Sequence, residues 1–303
     1  MRVRENLFMK ATYAAILAAT LLFVNCRVDA QTRADTARIN RAVISKLAAQ
    51  FGIHSKVIKH LDLTSPFQTK SRWRFVAAKQ PDEESKSVDG AAKRVGVISL
   101  CFVKDDEPDC SEEVFLAKYR EQKINFVSGP GEFFELFAND IVFSGPGESS
   151  PLLLIKTCTN RGANGNCGVS TFLLAYESER DKFRVVFFNM MGRNNNQEAR
   201  FIETGPLKGS AIVAYPTDGS PFTYFVEVHK RASDDVYTRV LRYRGNTHYG
   251  DGNPLAVIDS EMPETLRRLG LWSAGDALPI PPKLPKGCGR LVMRKGVEWC
   301  ESK

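Results

Sequence analysis

The chain is poor in histidine and in the motifs of hydrolytic chemistry. Only His54, His60, His229 and His248 occur in 303 residues. There is no Gly-x-Ser-x-Gly elbow and no His-Glu-x-x-His pair, the sequence marks of two large hydrolase classes. His54 and His60 are six apart, so a helix would not bring them to one face as i and i+4 would. A Ser/His/Asp triad drawn from distant segments stays open, because triads are defined by geometry and not by order. Zinc would want Cys-x-x-Cys pairs or histidines beside the cysteines, and neither is present. No dense basic stripe with interleaved aromatics runs through the chain, which excludes nucleic-acid binding. No cofactor or metal is therefore expected, and an enzymatic role is the less favoured reading.

The one long apolar run, Ala11 to Val24, follows Arg2, Arg4 and Lys10 and precedes Val28-Asp29-Ala30. A basic start, an apolar centre and small or aliphatic residues before a cut at Gln31 make up a cleavable secretory leader over residues 1–30. The run is shorter than the roughly 20 residues a membrane-spanning helix needs. An uncleaved anchor and a lipid attached to Cys26 are the alternatives. Asn25, however, stands where lipoprotein leaders resemble one another in carrying a small residue. Removing the leader takes away four basic and two acidic residues, leaving 38 against 33, a net charge of +5. That balance permits binding to acidic proteins or anionic glycans without demanding it.

The six remaining cysteines form close sequential pairs: Cys101 with Cys110, Cys158 with Cys167, and Cys288 with Cys300. Six cysteines allow 15 pairings. The polar turns between the first two pairs favour the sequential set. Each closure would stabilise the fold by about 2.5–3 kcal/mol on the loop-entropy model. Disulfides and a leader together predict a periplasmic or secreted protein with no stable membrane insertion after cleavage.

Ile39, Ala42, Val43, Leu47 and Phe51, spaced by three and four, predict an amphipathic helix over residues 33–51 that ends at Gly52. A second helical turn is expected over Val57 to Leu61. Trp73 to Val76 reads as a short strand, and Pro81 to Ser87 as an exposed loop. From Val95 the texture turns to β. Strands are expected at 95–103, 152–157, 169–176, 183–190, 199–203, 210–215, 222–229, 236–244 and 255–258, with a brief helix near 111–120. The repeated Ser-Gly-Pro-Gly-Glu at 128–132 and 144–148 brackets an apolar segment, as two corners of a meander would. It lacks the following helix and lysine of a phosphate loop. Runs that are apolar on both faces, such as Phe183 to Phe188, predict strands buried from two sides. Ser260 is placed to cap a helix running to Leu271.

The fold class expected is α+β, predominantly antiparallel β (meander, sandwich or partial propeller-like), with an N-terminal helix. Residues 31–94 would form a helical segment and polar loop, 95–278 the β domain, and 279–303 a Pro-rich linker and disulfide-closed tail.

Pro151-Leu152-Leu153-Leu154-Ile155-Lys156-Thr157, Gly162-Ala163, Ser170 to Tyr176 and Asp181 to Val186 resemble the strand–loop–strand unit of FG-GAP or VCBS-type β-repeat proteins. The resemblance covers about 40 of the 303 residues. It implies blade-like sheets. The Asp-x-Asp-x-Asp-Gly calcium loop of that family is absent, and with it the implication of calcium binding. The whole chain also resembles periplasmic proteins of proteobacteria, which implies no activity.

Gly192-Arg193-Asn194-Asn195-Asn196-Gln197-Glu198-Ala199-Arg200 is the most unusual polar stretch. Consecutive amides beside arginines can bond a sugar or a partner's backbone, so Arg193, Asn194, Asn195, Asn196, Gln197 and Arg200 form a candidate binding loop. A long hairpin loop would look the same, since Asn favours turns. Arg242 and Arg244 share a strand face near Tyr243 and hint at a basic patch. Asp251, Asp259, Glu261 and Glu264 are the carboxylates available for glycan cleavage, which needs two at a set separation. Their bland reading is turn chemistry and a helix N-terminus. Two functions stay open: an exported binding module that offers disulfide-closed loops to a protein or cell-wall partner, or a wall-directed hydrolase.

Overall fold

The computed structural model describes residues 34–49, 54–87, 90–110, 113–121, 133–143, 150–161, 167–192, 197–217, 220–233, 235–248 and 250–302. The stretch expected to be a leader, both Ser-Gly-Pro-Gly-Glu repeats and residues 193–196 lie outside the described residues.

Three four-stranded antiparallel sheets stand face to face, with helices against both outer faces. The first sheet has the order β1 (Lys56–Asp62), β2 (Trp73–Lys79), β5 (Ile98–Lys104) and β6 (Glu107–Asp109). The second runs β7 (Glu135–Phe143), β8 (Pro151–Arg161), β9 (Cys167–Glu177) and β10 (Lys182–Gly192). The third runs β11 (Glu198–Phe201), β12 (Ala211–Thr217), β13 (Ser220–Arg231) and β14 (Tyr237–His248). Two ribbons stand apart from these sheets: β3 (Glu83–Ser87) with β4 (Gly90–Arg94), and β15 (Cys288–Arg294) with β16 (Val297–Ser302).

Period-two alternation explains the stacking. Along β9, Phe172 and Leu174 point into the core shared with the first sheet, whereas Leu173 and Ala175 point into the core shared with the third. Every strand of a middle layer must be apolar on both sides, which is why β8 to β10 read as near-continuous apolar runs. The core between the first and second sheets is aromatic. Phe115 from α3 (Glu113–Glu121) sits 5.0 Å edge-on from Phe172, and Phe102 stacks on Phe183 at 5.5 Å. On the outer face of the first sheet, helix α1 (residues 34–49) lays Ile39, Val43 and Leu47 against Val76, Ala78 and the Cys101–Cys110 disulfide. On the outer face of the third, α4 (Val257–Ser260) and α5 (Met262–Arg268) cover Ile212, Val226 and Val228. Helices close both ends of the stack, as terminal caps must when a layered array would otherwise expose an apolar face.

The α+β class, its antiparallel meanders and its N-terminal helix are as the sequence predicts. Several local expectations differ. Val57 to Leu61 is not a helical turn but edge strand β1, paired from Lys56↔Lys79 to Asp62↔Arg74. A long-range partner overrides a weak local preference there. The stretch read as an exposed loop forms the β3–β4 ribbon, and α2 (Thr64–Phe67) was not foreseen. The first sheet also draws strands from both sides of the boundary expected at residues 94 and 95. Leu255 to Ile258 is no strand: Val257 and Ile258 open α4 and bury against the third sheet. Ser260 belongs to α4, and Glu261 takes the N-cap position of α5.

Candidate functional site: a cleft between the second and third sheets

The register of the second sheet sorts the face it turns to the third sheet into cross-strand rows. Leu154, Leu173 and Phe187 make one apolar row, because Leu154↔Leu173 and Phe187↔Leu173 are partners. The next row is polar: Lys156↔Thr171 on one side and Asn189↔Thr171 on the other. Beyond it come Cys158, Val169 and Met191, again in register. Polar side chains thus interrupt a face that is otherwise core.

A cleft of about 280 Å³ opens at this interruption. Phe137, Val169, Met191 and Ala199 supply apolar wall, and Lys156, Gln197 and Glu198 the polar part. Lys156 reaches across the gap and donates to the Ala199 carbonyl at 2.9 Å. Among the described residues no carboxylate lies within ion-pair distance of it. Burial therefore holds the Lys156 amine below its ordinary pKa; Glu198 opposes that shift and Arg200 adds to it. Next to it Thr171 is 3 % exposed, and neither its Oγ1 nor Asn189 Oδ1 has a hydrogen-bond partner within the described protein.

Two other clefts differ in kind. In one of about 530 Å³ beside β1, Lys79 is paired with Asp82 at 3.0 Å. In one of about 640 Å³ beside β16, Arg294 is paired with Glu301 at 2.6 Å and lies over the Trp299 ring. The other lysines on their walls, Lys56 and Lys286, are exposed to solvent. The Lys156 cleft is where a half-buried cation lacks an ionic partner among the described residues.

The candidate loop divides. Arg193, Asn194, Asn195 and Asn196 fall outside the described residues, and Gln197 lines the cleft. Arg200 is committed elsewhere. Its Nε and Nη2 each donate to Glu198 at 2.8 Å, and Nη1 and Nη2 donate to Asp259 at 2.6 and 3.0 Å. Both carboxylates raise the Arg200 pKa against burial, which is the largest single influence and lowers it. Arg200 therefore clamps β11 to α4 and has little left for a ligand.

The cysteines divide too. Disulfides join Cys101 to Cys110 and Cys288 to Cys300. No disulfide joins Cys158 to Cys167, and both are buried. The register gives the reason: Cys158 faces Val169 and Cys167 faces Arg161, with a bulge at Cys158/Asn160. The two sulfurs are diagonal neighbours, a placement with Cα atoms about 7–8 Å apart. A disulfide needs its Cα atoms within about 7 Å. Nor does the Cys101–Cys110 pair present a loop. It is 0 % and 2 % exposed and packs beneath α1. Its turn is held by Asp106, which binds Arg38 of α1 at 2.8 Å and Arg72 at 3.2 Å.

The carboxylates available for glycan cleavage have structural duties. Asp251 accepts from the Asn253 backbone at 2.8 Å in a turn. Asp259 belongs to Arg200. Glu261 is fully buried and accepts from the Thr247 backbone and hydroxyl at 2.6 and 2.8 Å. Glu264 pairs with Arg267 and Arg268 at 2.7 and 2.6 Å. Glu298, not singled out from the sequence, is the exception. Burial first and the Asp259 charge second raise its pKa; its Oε2, like that of Glu261, has no partner among the described residues. Neither Asp259 nor Glu298 lines any of the three clefts.

The histidines are dispersed: His60 and His229 are half-buried, His229 bonds Glu227 at 3.0 Å, and His248 stacks on Phe222. Among the described residues no group of three or more His, Cys, Asp or Glu could hold a metal. Arg242 lies 4.1 Å over the Phe225 ring and 3.3 Å from Glu227, and Arg244 lies 3.4 Å from the Thr223 hydroxyl. Glu227 thus neutralises part of the expected basic patch. No protein-family model matches the chain, and neither a curated protein nor a solved structure matches it.

Proposed function

We propose that the chain is an exported binding module, periplasmic or secreted, which recognises a protein or cell-wall partner through the cleft between its second and third sheets. The observation that carries this reading is Lys156, a half-buried amine on the cleft wall without an ionic partner among the described residues; beside it in the sheet register Thr171 and Asn189 keep unbonded oxygens. Buried charges are normally paired, and unpaired buried polar groups cost about 1–3 kcal/mol each. Such groups persist where a fold gives up stability for recognition. Two disulfides accord with an oxidising compartment, and no helix among the described residues is long and apolar enough to cross a membrane. The Cys101–Cys110 disulfide packs beneath α1, so recognition is placed on the cleft rather than on that closed loop.

One observation favours a hydrolase instead: Glu298 with its raised pKa beside Asp259, a charge relation also found in general acids. Incubating the mature protein with solubilised peptidoglycan separates the two readings. Saturable binding without release of reducing ends or peptides supports the module. Turnover that disappears in Glu298→Gln would establish the hydrolase and end the binding reading.

A further inference from the structure

Three properties of the cleft restrict what it can hold. Its positive group is one ammonium with three donors, of which one is spent on the Ala199 carbonyl. The carboxylate on its wall, Glu198, is already held by the Arg200 guanidinium through two bonds of 2.8 Å, so it does not cancel Lys156 at contact. The remaining wall, formed by Phe137, Val169, Met191 and Ala199, is apolar.

We propose that this cleft binds a small monoanionic carboxylate carried on a short apolar chain, with the carboxylate on Lys156 and the chain against Phe137, Val169 and Met191. This specifies the ligand chemistry of the binding reading above and rests on it. A neutral ligand would leave the ammonium without an ionic partner. A cation would be repelled by Lys156. A dianion would bring two charges to one cation, with Glu198 close behind. Charge-assisted bonds from an ammonium to a carboxylate are about twice as strong as neutral ones. The volume of about 280 Å³ lies at the lower end of ligand pockets and suits a chain of a few carbons.

Calorimetric or NMR titration of the mature protein with hexanoate, 1-hexanol and hexylamine at neutral pH tests this. Hexanoate should bind at least tenfold more tightly than hexanol, and hexylamine should not bind. In Lys156→Met, hexanoate should lose that preference while hexanol binding stays. Unchanged circular dichroism and melting would show that the variant is folded. Equal affinity for hexanol and hexanoate, a preference that survives Lys156→Met, or no binding of hexanoate overturns the proposal. Any of these results would leave the binding module itself intact if peptidoglycan or an envelope protein still bound without turnover. Hydrolysis of the wall substrate would instead remove the reading on which the proposal rests.

Discussion

Replacing Arg200 by alanine separates a clamp from a recognition residue. The side chain is 26 % exposed, its partner Asp259 only 5 %, and its other partner Glu198 27 %. In Arg200→Ala the Glu198 carboxylate can regain water at modest cost, whereas Asp259 is left as a buried anion with Glu298 nearby. Removing one member of a buried pair costs about 3–5 kcal/mol. The lower end applies because Arg200 is itself partly solvated, so the expected loss is about 3 kcal/mol. At about 2–4 °C per kcal/mol, the melting temperature should fall by about 6–12 °C. Asp259→Asn in the Arg200→Ala background should recover a large part of the loss, because the stranded charge is gone. Urea and thermal unfolding of the four proteins in the cycle supply the numbers. A melting temperature within 1–2 °C of wild type, with ligand binding abolished, would refute the clamp and return Arg200 to the binding loop.

Asp181 accepts from Lys104, Ser71, Tyr176 and the Trp73 indole at 2.7, 2.6, 2.6 and 2.9 Å, joining the first sheet to the β9–β10 turn. These donors hold its carboxyl well below the usual carboxylate range although burial opposes them. A depressed folded pKa gives stability that is complete above the unfolded value of about 3.9 and is lost as pH falls through the folded one. Asp181→Asn should cost about 2 kcal/mol at neutral pH, since part of the hub is solvated. It should also flatten the acid limb of the stability profile; an unchanged limb would contradict the hub. Alkylation of the denatured, unreduced mature protein should label Cys158 and Cys167 and leave Cys101, Cys110, Cys288 and Cys300 for reaction after reduction. A Cys158–Cys167 cross-linked peptide would contradict the register assigned to β8 and β9.

Much of the fold could be read from residue pattern because a middle sheet has an unmistakable one. Phe183 to Phe188 is apolar at every position but one, and only burial from both sides accounts for that. Helix α1 was equally legible from Ile39, Val43 and Leu47. What escaped depends on distant partners. Val57 to Leu61 becomes a strand because Trp73–Lys79 lies alongside it. Leu255 to Ile258 becomes a helix because the outer face of the third sheet needs a cover. Cys158 and Cys167 are close in sequence, and one bulge places them diagonally, a detail that spacing cannot carry. Of the candidate loop, Gln197 lines the cleft and Arg200 is held by Asp259, a partner across the fold that nothing local in the sequence reveals. Lys156 left a signal that went unused. It is the one charged residue in Leu152–Thr157, and strand alternation puts it on the same face as Leu152 and Leu154, pointing into core.

The most direct measurement is the titration of the Lys156 side chain by NMR in the folded, ligand-free protein, with Lys156→Met to assign the resonance. Burial without an ionic partner predicts a pKa below the ordinary 10.5 of a lysine, moving upward when hexanoate is added. A value at or above 10.5 that hexanoate leaves unchanged would mean that the amine is already satisfied by the protein, and that the cleft is not a recognition site.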